Sequence, residues 1–430
     1  MKKFNEAGIP LPLIHRLEQL GFTTPTPIQE KSIPVALEGS DILGSAQTGT
    51  GKTLAFGVPL IANLMTNDRG TALVLLPTRE LASQVLKSLA QFSSAKSKIS
   101  TALLIGGEDM RRQITQLKSN PRLIVGTPGR INDHLTRGTL KLHNTNFLVL
   151  DEVDRMLDLG FGIQLDAIAK FLTSPKRQTL MFSATMPKNI QALSAKYLKN
   201  PVRITVGAEH KPTENLTQEN VKLSESEKYP RLLEELDSRE GSIIVFIKTK
   251  YAADSMAQKL RKLGHKANAL HGDLRQNKRS QVIEGFRKQS YRILIATDVA
   301  ARGLDIPHIQ HVINHDLPQC PEDYIHRIGR TARAGATGNA LNFLSSSDGS
   351  KWRAIQRLLD PNAKPDDLGE RRGGRKRSGP RGGSNGKNRG RSDSRPARTD
   401  SKKRTGKPSN GNFTKRKTAG SWPKKKSTAA

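Results

Sequence analysis

The feature that most narrows what this chain can fold into is an alternation of short β-rich runs with helical stretches, which occurs twice and is interrupted once. From Asp41 to Val206 the runs are Thr71 to Leu76, Leu103 to Ile105, Arg122 to Val125, Phe147 to Leu150 and Thr179 to Phe182. Apolar runs this short, separated by segments long enough for a helix, predict a parallel sheet covered by helices. A polar stretch from Gly207 to Glu219, with Pro212 and few apolar residues, reads as an interdomain linker. The alternation then restarts with Ile243 to Ile247, Ala267 to Leu270, Arg292 to Ala296, His311 to Asn314 and Ala340 to Leu344, and ends near Leu359. The expected fold is α/β: two parallel-sheet domains in tandem, 1–207 and 220–360, joined by a linker at 208–219. A length of 430 residues agrees, since it exceeds what one hydrophobic core usually organises.

Beyond Asp360 the composition turns to Arg, Lys, Gly, Ser and Pro, with Phe413 and Trp422 the only aromatics, so 361–430 is expected to be a disordered basic tail. It holds 22 basic and 5 acidic residues, a net +17 out of the chain's +32. Such an excess favours a polyanionic partner. A membrane is excluded by run length: stretches such as Ile243 to Ile247 fall far short of the roughly 20 residues a spanning helix needs. Met1-Lys2-Lys3 leads into Asn5, Glu6 and Gly8 instead of an apolar run, which predicts no secretory signal and a cytoplasmic address. Cys320 is the single cysteine, so there is no intrachain disulfide and no cysteine-built metal cluster.

Two clusters almost three hundred positions apart make sense as halves of one nucleotide site, Ala46 to Thr53 and His326 to Arg333. The first follows a probable strand around Asp41 to Leu43 and precedes an apolar helical run, the context of a phosphate loop. Its glycines let backbone N–H groups approach an anion, Lys52 would reach the outer phosphates, and Thr53 would offer its hydroxyl to Mg²⁺. In the second cluster Arg330 and Arg333, three apart, share a helical face and can aim two guanidiniums at one anion. Asp151-Glu152-Val153-Asp154 follows the apolar strand Phe147 to Leu150, at the strand end where α/β sheets bind ligands. Asp151 can hold Mg²⁺ while Glu152 orients and deprotonates the attacking water. Phe22 and the Pro25 to Gln29 segment offer an aromatic face and an amide that can donate and accept together, the parts needed to read adenine.

Phe22 with Gln29, Ala46 to Thr53, Pro77-Thr78-Arg79-Glu80-Leu81, Gly106-Gly107, Thr127-Pro128-Gly129-Arg130, Asp151 to Asp154, Ser183-Ala184-Thr185, Ala296-Thr297-Asp298 through Gly303-Leu304-Asp305 and His326 to Arg333 occur in one order. That order resembles the DEAD-box RNA helicases of superfamily 2, over residues 4 to 345. The resemblance implies two RecA-like domains that close around ATP and single-stranded RNA, with ATP and Mg²⁺ as cofactors. It implies that Phe22, Gln29, Gln47, Thr48, Gly49, Thr50, Gly51, Lys52, Thr53 and Asp305 hold the nucleotide. It places RNA-backbone contacts on Pro77, Thr78, Arg79, Gly106, Gly107, Thr127, Arg130, Thr297 and the Gly272 to Arg279 region. Ser183 and Thr185 would hydrogen-bond Asp154, His326 and Gln276 would lie near the attacking water, and Arg330 and Arg333 would be arginine fingers. Val153 departs from the alanine of the family signature, and its apolar bulk is expected to spare the carboxylate geometry.

The expected activity is local, ATP-dependent unwinding or remodelling of RNA duplexes and RNA–protein complexes by a monomer. Two alternatives stay open: an ATP-gated RNA clamp with little unwinding, and a DNA translocase, which the adenine-reading segment argues against. Arg371-Arg372-Gly373-Gly374-Arg375 and Pro380-Arg381-Gly382-Gly383 resemble RNA-binding Arg-Gly segments, with a solubilising or protein-docking arm as the other reading. A basic, glycine-rich tail on such a core is similar to bacterial members acting in ribosome assembly, RNA decay or cold adaptation, which points to ribosomal particles or the RNA-decay machinery as partners.

Overall fold

The computed structural model describes residues 3–46, 49–92, 99–206, 215–301, 304, 306–333, 336–360 and 362. Gln47, Thr48, Asp305, most of the expected linker and, Asn362 apart, the basic tail lie outside the described residues.

Two wholly parallel sheets lie within one compact unit. The first contains β1 (Ile42–Ala46), β2 (Thr71–Leu75), β3 (Thr101–Leu104), β4 (Leu123–Gly126), β5 (Thr145–Leu150), β6 (Gln178–Ser183) and β7 (Val202–Val206), in the order β3-β4-β2-β5-β6-β1-β7. The second contains β8 (Leu216–Lys222), β9 (Ser242–Phe246), β10 (Ala267–Leu270), β11 (Ile293–Ala296), β12 (Ile309–Asn314) and β13 (Gly338–Leu344), in the order β10-β11-β9-β12-β13-β8. These are the RecA-like domains expected from the sequence. The chain leaves the neighbouring strands β2 and β5, and likewise β9 and β12, in opposite directions across the sheet, and the crevice at the carboxyl ends of such strands is where α/β sheets bind ligands.

The strands are apolar on both faces because helices cover both. Ala72, Val74, Phe147, Val149 and Leu180 point into one core of the first domain, and Leu73, Leu75, Leu148, Leu150 and Met181 into the other. The second domain repeats this, with Ile244, Phe246, Leu294 and Val312 on one side and Ile243, Val245, Ile295 and Ile313 on the other. Because both faces are apolar, a one-residue slip would exchange one apolar set for another, so side-chain packing and not the polar pattern sets the register. Val153, wholly buried, belongs to the core that includes Leu148 and Leu150.

The polar stretch at 207–219 is not linker to its end: its last four residues open β8, which pairs with β13 along seven residues, Leu216 with Gly338 through Lys222 with Leu344. The apolar pattern fails to reveal β8 because it is an edge strand with five of its seven residues exposed; Gln218 and Asn220 meet polar partners, the Tyr324 hydroxyl donating to Gln218 at 2.7 Å and Asn342 Nδ2 to Asn220 at 2.8 Å. Edge strand β7 also escapes the pattern, with Val202 and Arg203 exposed and only Ile204 fully buried.

Candidate active site and nucleic-acid groove

The phosphate loop leaves β1 and enters the helix Lys52–Thr66 through Gly49 (φ 86°) and Gly51 (φ 92°), left-handed conformations that favour glycine. The segment expected to read adenine clamps this loop. Thr26 and Gln29 form a capping box on the helix Pro27–Leu37, with Gln29 Oε1 accepting from the Thr26 N–H at 2.9 Å. Gln29 Nε2 then donates to Gly51 O at 3.0 Å, and the Thr26 hydroxyl to Thr50 O at 2.8 Å. A Cβ at Gly51 would sit 2.3 Å from Gln29 Nε2, so the close approach also demands glycine. Both ends of the Gln29 amide are therefore engaged within the protein, and reading a base edge would mean sharing or exchanging these partners. Phe22 is 38% exposed, with its ring edge-on to Phe92 at 6.2 Å. Thr26 is a residue that motif reading passes over, although its spacing of three from Gln29 is a capping-box signal.

Lys52 is buried, with Nζ 3.0 Å from Ala46 O and 3.9 Å from Asp151 Oδ1. Asp151 follows β5 directly and its Oδ1 accepts the Glu152 N–H at 2.9 Å. Burial pushes its carboxyl up to about 6; Lys52 pulls the other way, and the neighbouring charges of Glu152 and Asp154 add to the rise. Thr53, half-buried, follows Lys52 in the first turn of the helix. Glu152 sits at φ 53°, a left-handed conformation rare for a glutamate, at the junction between the strand and the short helix Val153–Asp158. Asp154 Oδ2 accepts from the Ala184 N–H at 2.9 Å, the Thr185 N–H at 3.1 Å and the Thr185 hydroxyl at 3.4 Å. The expectation for Ser183 is corrected: its buried hydroxyl has no hydrogen-bond partner among the described residues, and Asp154 is met by the Ala184 amide in its place. Backbone amides carry no side-chain signature, so sequence alone could not show this.

In the second domain, His326 is buried beside Asp298, Arg327 and Arg330. Arg330 donates to His326 O at 3.0 Å and Leu304 O at 2.6 Å, and Arg333 to Gly329 O at 2.8 Å. Both expected fingers thus donate to backbone carbonyls of their own domain. The expectation that Arg330 and Arg333 share a helical face is corrected: the helix Pro321–Ile328 ends before them at its C-cap Gly329, and Ala332 between them sits at φ 54°. That helix is anchored by Arg327, which pairs bidentately with Asp298 and donates to Asn314 at 3.0 Å. From there an asparagine ladder crosses three register-matched strands: Asn314 Nδ2 donates to Asn342 at 2.8 Å, and Asn342 Nδ2 to Asn220 at 2.8 Å. No local pattern announces this anchor, because its members lie on three strands far apart in sequence.

A groove of about 390 Å³ runs between the domains. Pro77, Thr78, Arg79, Gly106, Thr127 and Arg130 line it from the first domain, and Gly272, Gln276 and Arg279 from the second. Gly107 adjoins it, since a Cβ there would lie 3.3 Å from Gln276 Cβ. Thr297 is not among the lining residues; it follows β11 and its N–H donates to Leu270 O at 3.2 Å. Gln276 is corrected as well: it faces this groove and not the carboxylates after β5. Its Oε1 accepts from Arg79 at 3.1 Å, and its Nε2 donates to Glu80 at 3.4 Å. Arg279 pairs with Glu80 across the same joint and donates to Ala300 O at 2.8 Å. Burial, opposed by Glu80, and the positive charges of Arg279 and Arg130 lower the Arg79 pKa.

Comparison with known proteins identifies the family and the fold. Residues 26–193 match the DEAD/DEAH box helicase model and residues 227–335 the helicase conserved C-terminal domain. The chain is 43% identical over 359 residues to the DEAD-box ATP-dependent RNA helicase CshA of Geobacillus kaustophilus, spanning 83% of this chain and 76% of that protein. It is 43% identical over 367 residues to the ATP-dependent RNA helicase CshA of Listeria monocytogenes, spanning 85% and 70%. Among solved structures, Saccharomyces cerevisiae Dbp5 bound to RNA and ADP BeF3 superimposes with a TM-score of 0.76 at 33% identity, covering 84% of this chain and 94% of that one. Mss116p bound to ssRNA and AMP-PNP gives 0.74 at 28% identity, covering 83% and 76%. The chain belongs to the DEAD-box ATP-dependent RNA helicases and is an ATP-using enzyme of that family. Among the described residues, no helix is long and apolar enough to cross a membrane.

Proposed function

We propose that this enzyme couples RNA-stimulated ATP hydrolysis to local unwinding or remodelling of RNA, with one strand held along the groove between the domains. The observation that carries this reading is the groove itself. It joins Arg79, Arg130 and Arg279 from two domains with glycines, a proline and threonine hydroxyls, groups suited to a phosphate backbone and poor at reading bases, and its two carboxylates, Glu80 and Asp133, are paired with Arg279 and Arg130. A strand bridging Arg79 and the Gln276 to Arg279 turn would strengthen the joint that brings Arg330 and Arg333, in the segment after the helix Pro321–Ile328, towards the phosphate loop.

In the nucleotide site, Lys52 and the loop amides bind the phosphates and Phe22 and Gln29 flank the base. Glu152 accepts a proton from the attacking water, Asp154 ties the carboxylate loop to Ala184 and Thr185, and Arg330 and Arg333 complete the site from the second domain. Thr53 and Asp151 fit Mg²⁺. Three carboxylates crowd four residues after β5 with Lys52 at 3.9 Å from one of them, an excess of negative charge a divalent ion would relieve. Among the described residues no group of three or more histidine, cysteine or acidic side chains could hold a metal alone, as suits an ion that shares its ligands with nucleotide phosphates. When bound, Mg²⁺ supplies charge neutralisation on the transferred phosphoryl group.

The test is ATPase and duplex displacement measured side by side. ATP turnover should be near background without RNA and rise steeply with it, and a short RNA duplex should separate in the presence of ATP. Glu152→Gln should bind ATP and RNA yet turn over slowly, by about 100-fold or more. RNA-stimulated hydrolysis without strand separation would favour the clamp, and equal stimulation by DNA would remove the RNA assignment.

A further inference from the structure

Arg155 is the least expected residue around the carboxylates. It lies in the helix Val153–Asp158, one turn after Glu152, with 1% of its surface exposed. A guanidinium stays ionised at any relevant pH, and burying one without full hydrogen bonding costs several kcal/mol. None of its three nitrogens has a hydrogen-bond partner among the described residues. The charged group it faces is Glu152, with Nε 3.5 Å from Oε2, and that oxygen is itself buried and without a hydrogen-bond partner. The other two carboxylates are already served, Asp151 by Lys52 and the Glu152 amide, and Asp154 by the Ala184 and Thr185 amides.

Packing does not account for this arginine, since a methionine would fill similar volume in the same apolar core without the desolvation cost. We infer that Arg155 is a positioning residue for Glu152: it holds Oε2 on the buried side and so keeps the other carboxylate oxygen available to the attacking water. The inference rests on the reading of Glu152 as the base. A separation of 3.5 Å fits a pair that tightens when the site is assembled, as catalytic contacts commonly do. Glu152 occupies a strained backbone position at the strand–helix junction, where a carboxylate without a tether would sample several rotamers, and a displacement of about 1 Å can cost 100-fold in rate.

The experiment is a double-mutant cycle on the full chain with saturating RNA, reading kcat and the KM for ATP, with single-turnover rates for the slow variants. Arg155→Met should lower kcat by about 10- to 100-fold while moving the KM for ATP by less than about threefold. Arg155→Lys, which restores the charge, should recover part of the rate. In the Glu152→Gln background Arg155→Met should cause no further loss. A parental kcat for Arg155→Met overturns the inference, and so does an equal fold-loss in both backgrounds, which would make Arg155 only part of the packing. Parental turnover by Glu152→Gln alone would sink the base assignment instead, a result visible before any Arg155 variant is made. Thermal melts accompany each protein, and if Arg155→Met does not fold, Arg155→Gln and Arg155→Lys complete the same cycle.

Discussion

The two domains wind the same way, and each carries an aspartate just beyond its central strand pair and a buried lysine nearby. Setting β7 aside, β3-β4-β2-β5-β6-β1 corresponds strand for strand to β10-β11-β9-β12-β13-β8. Asp151 follows β5, and Asp316 lies two residues after the equivalent β12. Burial acts on both carboxyls, with opposite outcomes. Asp151 is pushed up to about 6, while at Asp316 the His315 side chain, the Lys248 N–H and the Lys228 charge overcome burial and hold the carboxyl down at about 2. Lys228 is enclosed by Glu225 at 3.0 Å, Asp348 at 3.6 Å and Asp316 at 3.8 Å, whereas the carboxylate beside Lys52 among the described residues is Asp151, at 3.9 Å. The same architecture thus holds a satisfied charge cluster in one domain and an acid-rich, under-compensated one in the other. A satisfied cluster builds scaffold, and an under-compensated cluster marks a place where a charged ligand completes the balance.

The largest expected contrast is between the two lysines. Lys228→Met should destabilise the protein by about 3 kcal/mol in urea unfolding, because it leaves the buried Asp348 and the partly buried Asp316 without that cation. Lys52→Met should leave stability within about 1 kcal/mol of the parent yet weaken ATP binding by about 100-fold or more, read by fluorescent-nucleotide titration. If Lys52→Met unfolds as readily as Lys228→Met, the division into site and scaffold is wrong.

The aspartates sharpen it through pH, in magnesium-free buffer. Folding opposes ionisation of Asp151, so the parent loses stability as pH rises from the ordinary value of 3.8 to about 6. Asp151→Asn should therefore be the more stable protein at pH 7, by on the order of 2 kcal/mol, with the gap closing below about pH 4. Folding favours ionisation of Asp316, so its contribution is present above the ordinary 3.8 and lost as pH falls through about 2. Asp316→Asn should be less stable at pH 7 by on the order of 2 kcal/mol, the penalty fading in acid. Gains and losses of the same sign across this series would break the comparison.

Smaller effects belong to the joint between the domains and to the tail. Gln276→Ala removes the bond to Arg79 and should raise the RNA concentration for half-maximal ATPase by about fivefold, leaving the saturated rate within about twofold. A collapse of the saturated rate would return Gln276 to the attacking water. Deleting 361–430 should also leave the saturated rate unchanged while flattening the log-affinity against log-salt slope by about 0.7 for each RNA phosphate that the tail neutralises. Identical slopes for the two proteins would assign the tail to another task.

How far the residues speak for themselves depends on the range of the interaction involved. Gly49, Gly51, Lys52 and the carboxylates after β5 were legible in the sequence because a phosphate loop and a strand-end acid are local devices, set by backbone conformation and short spacing. The strands between them were equally legible wherever both faces are buried and the run is apolar throughout. What the tertiary structure alone decided are the pairings between distant segments. It gave Gln276 to Arg79, put the Ala184 amide where the Ser183 hydroxyl was expected, ended the helix Pro321–Ile328 before Arg330 and Arg333, and tied that helix through Arg327 to an Asn314–Asn342–Asn220 ladder. It also turned polar β8 into sheet and left Arg155 buried against Glu152. The physical reason is common to all of these: a hydrogen-bonding group declares in sequence that it needs a partner, and only the folded chain determines which one comes within about 3 Å.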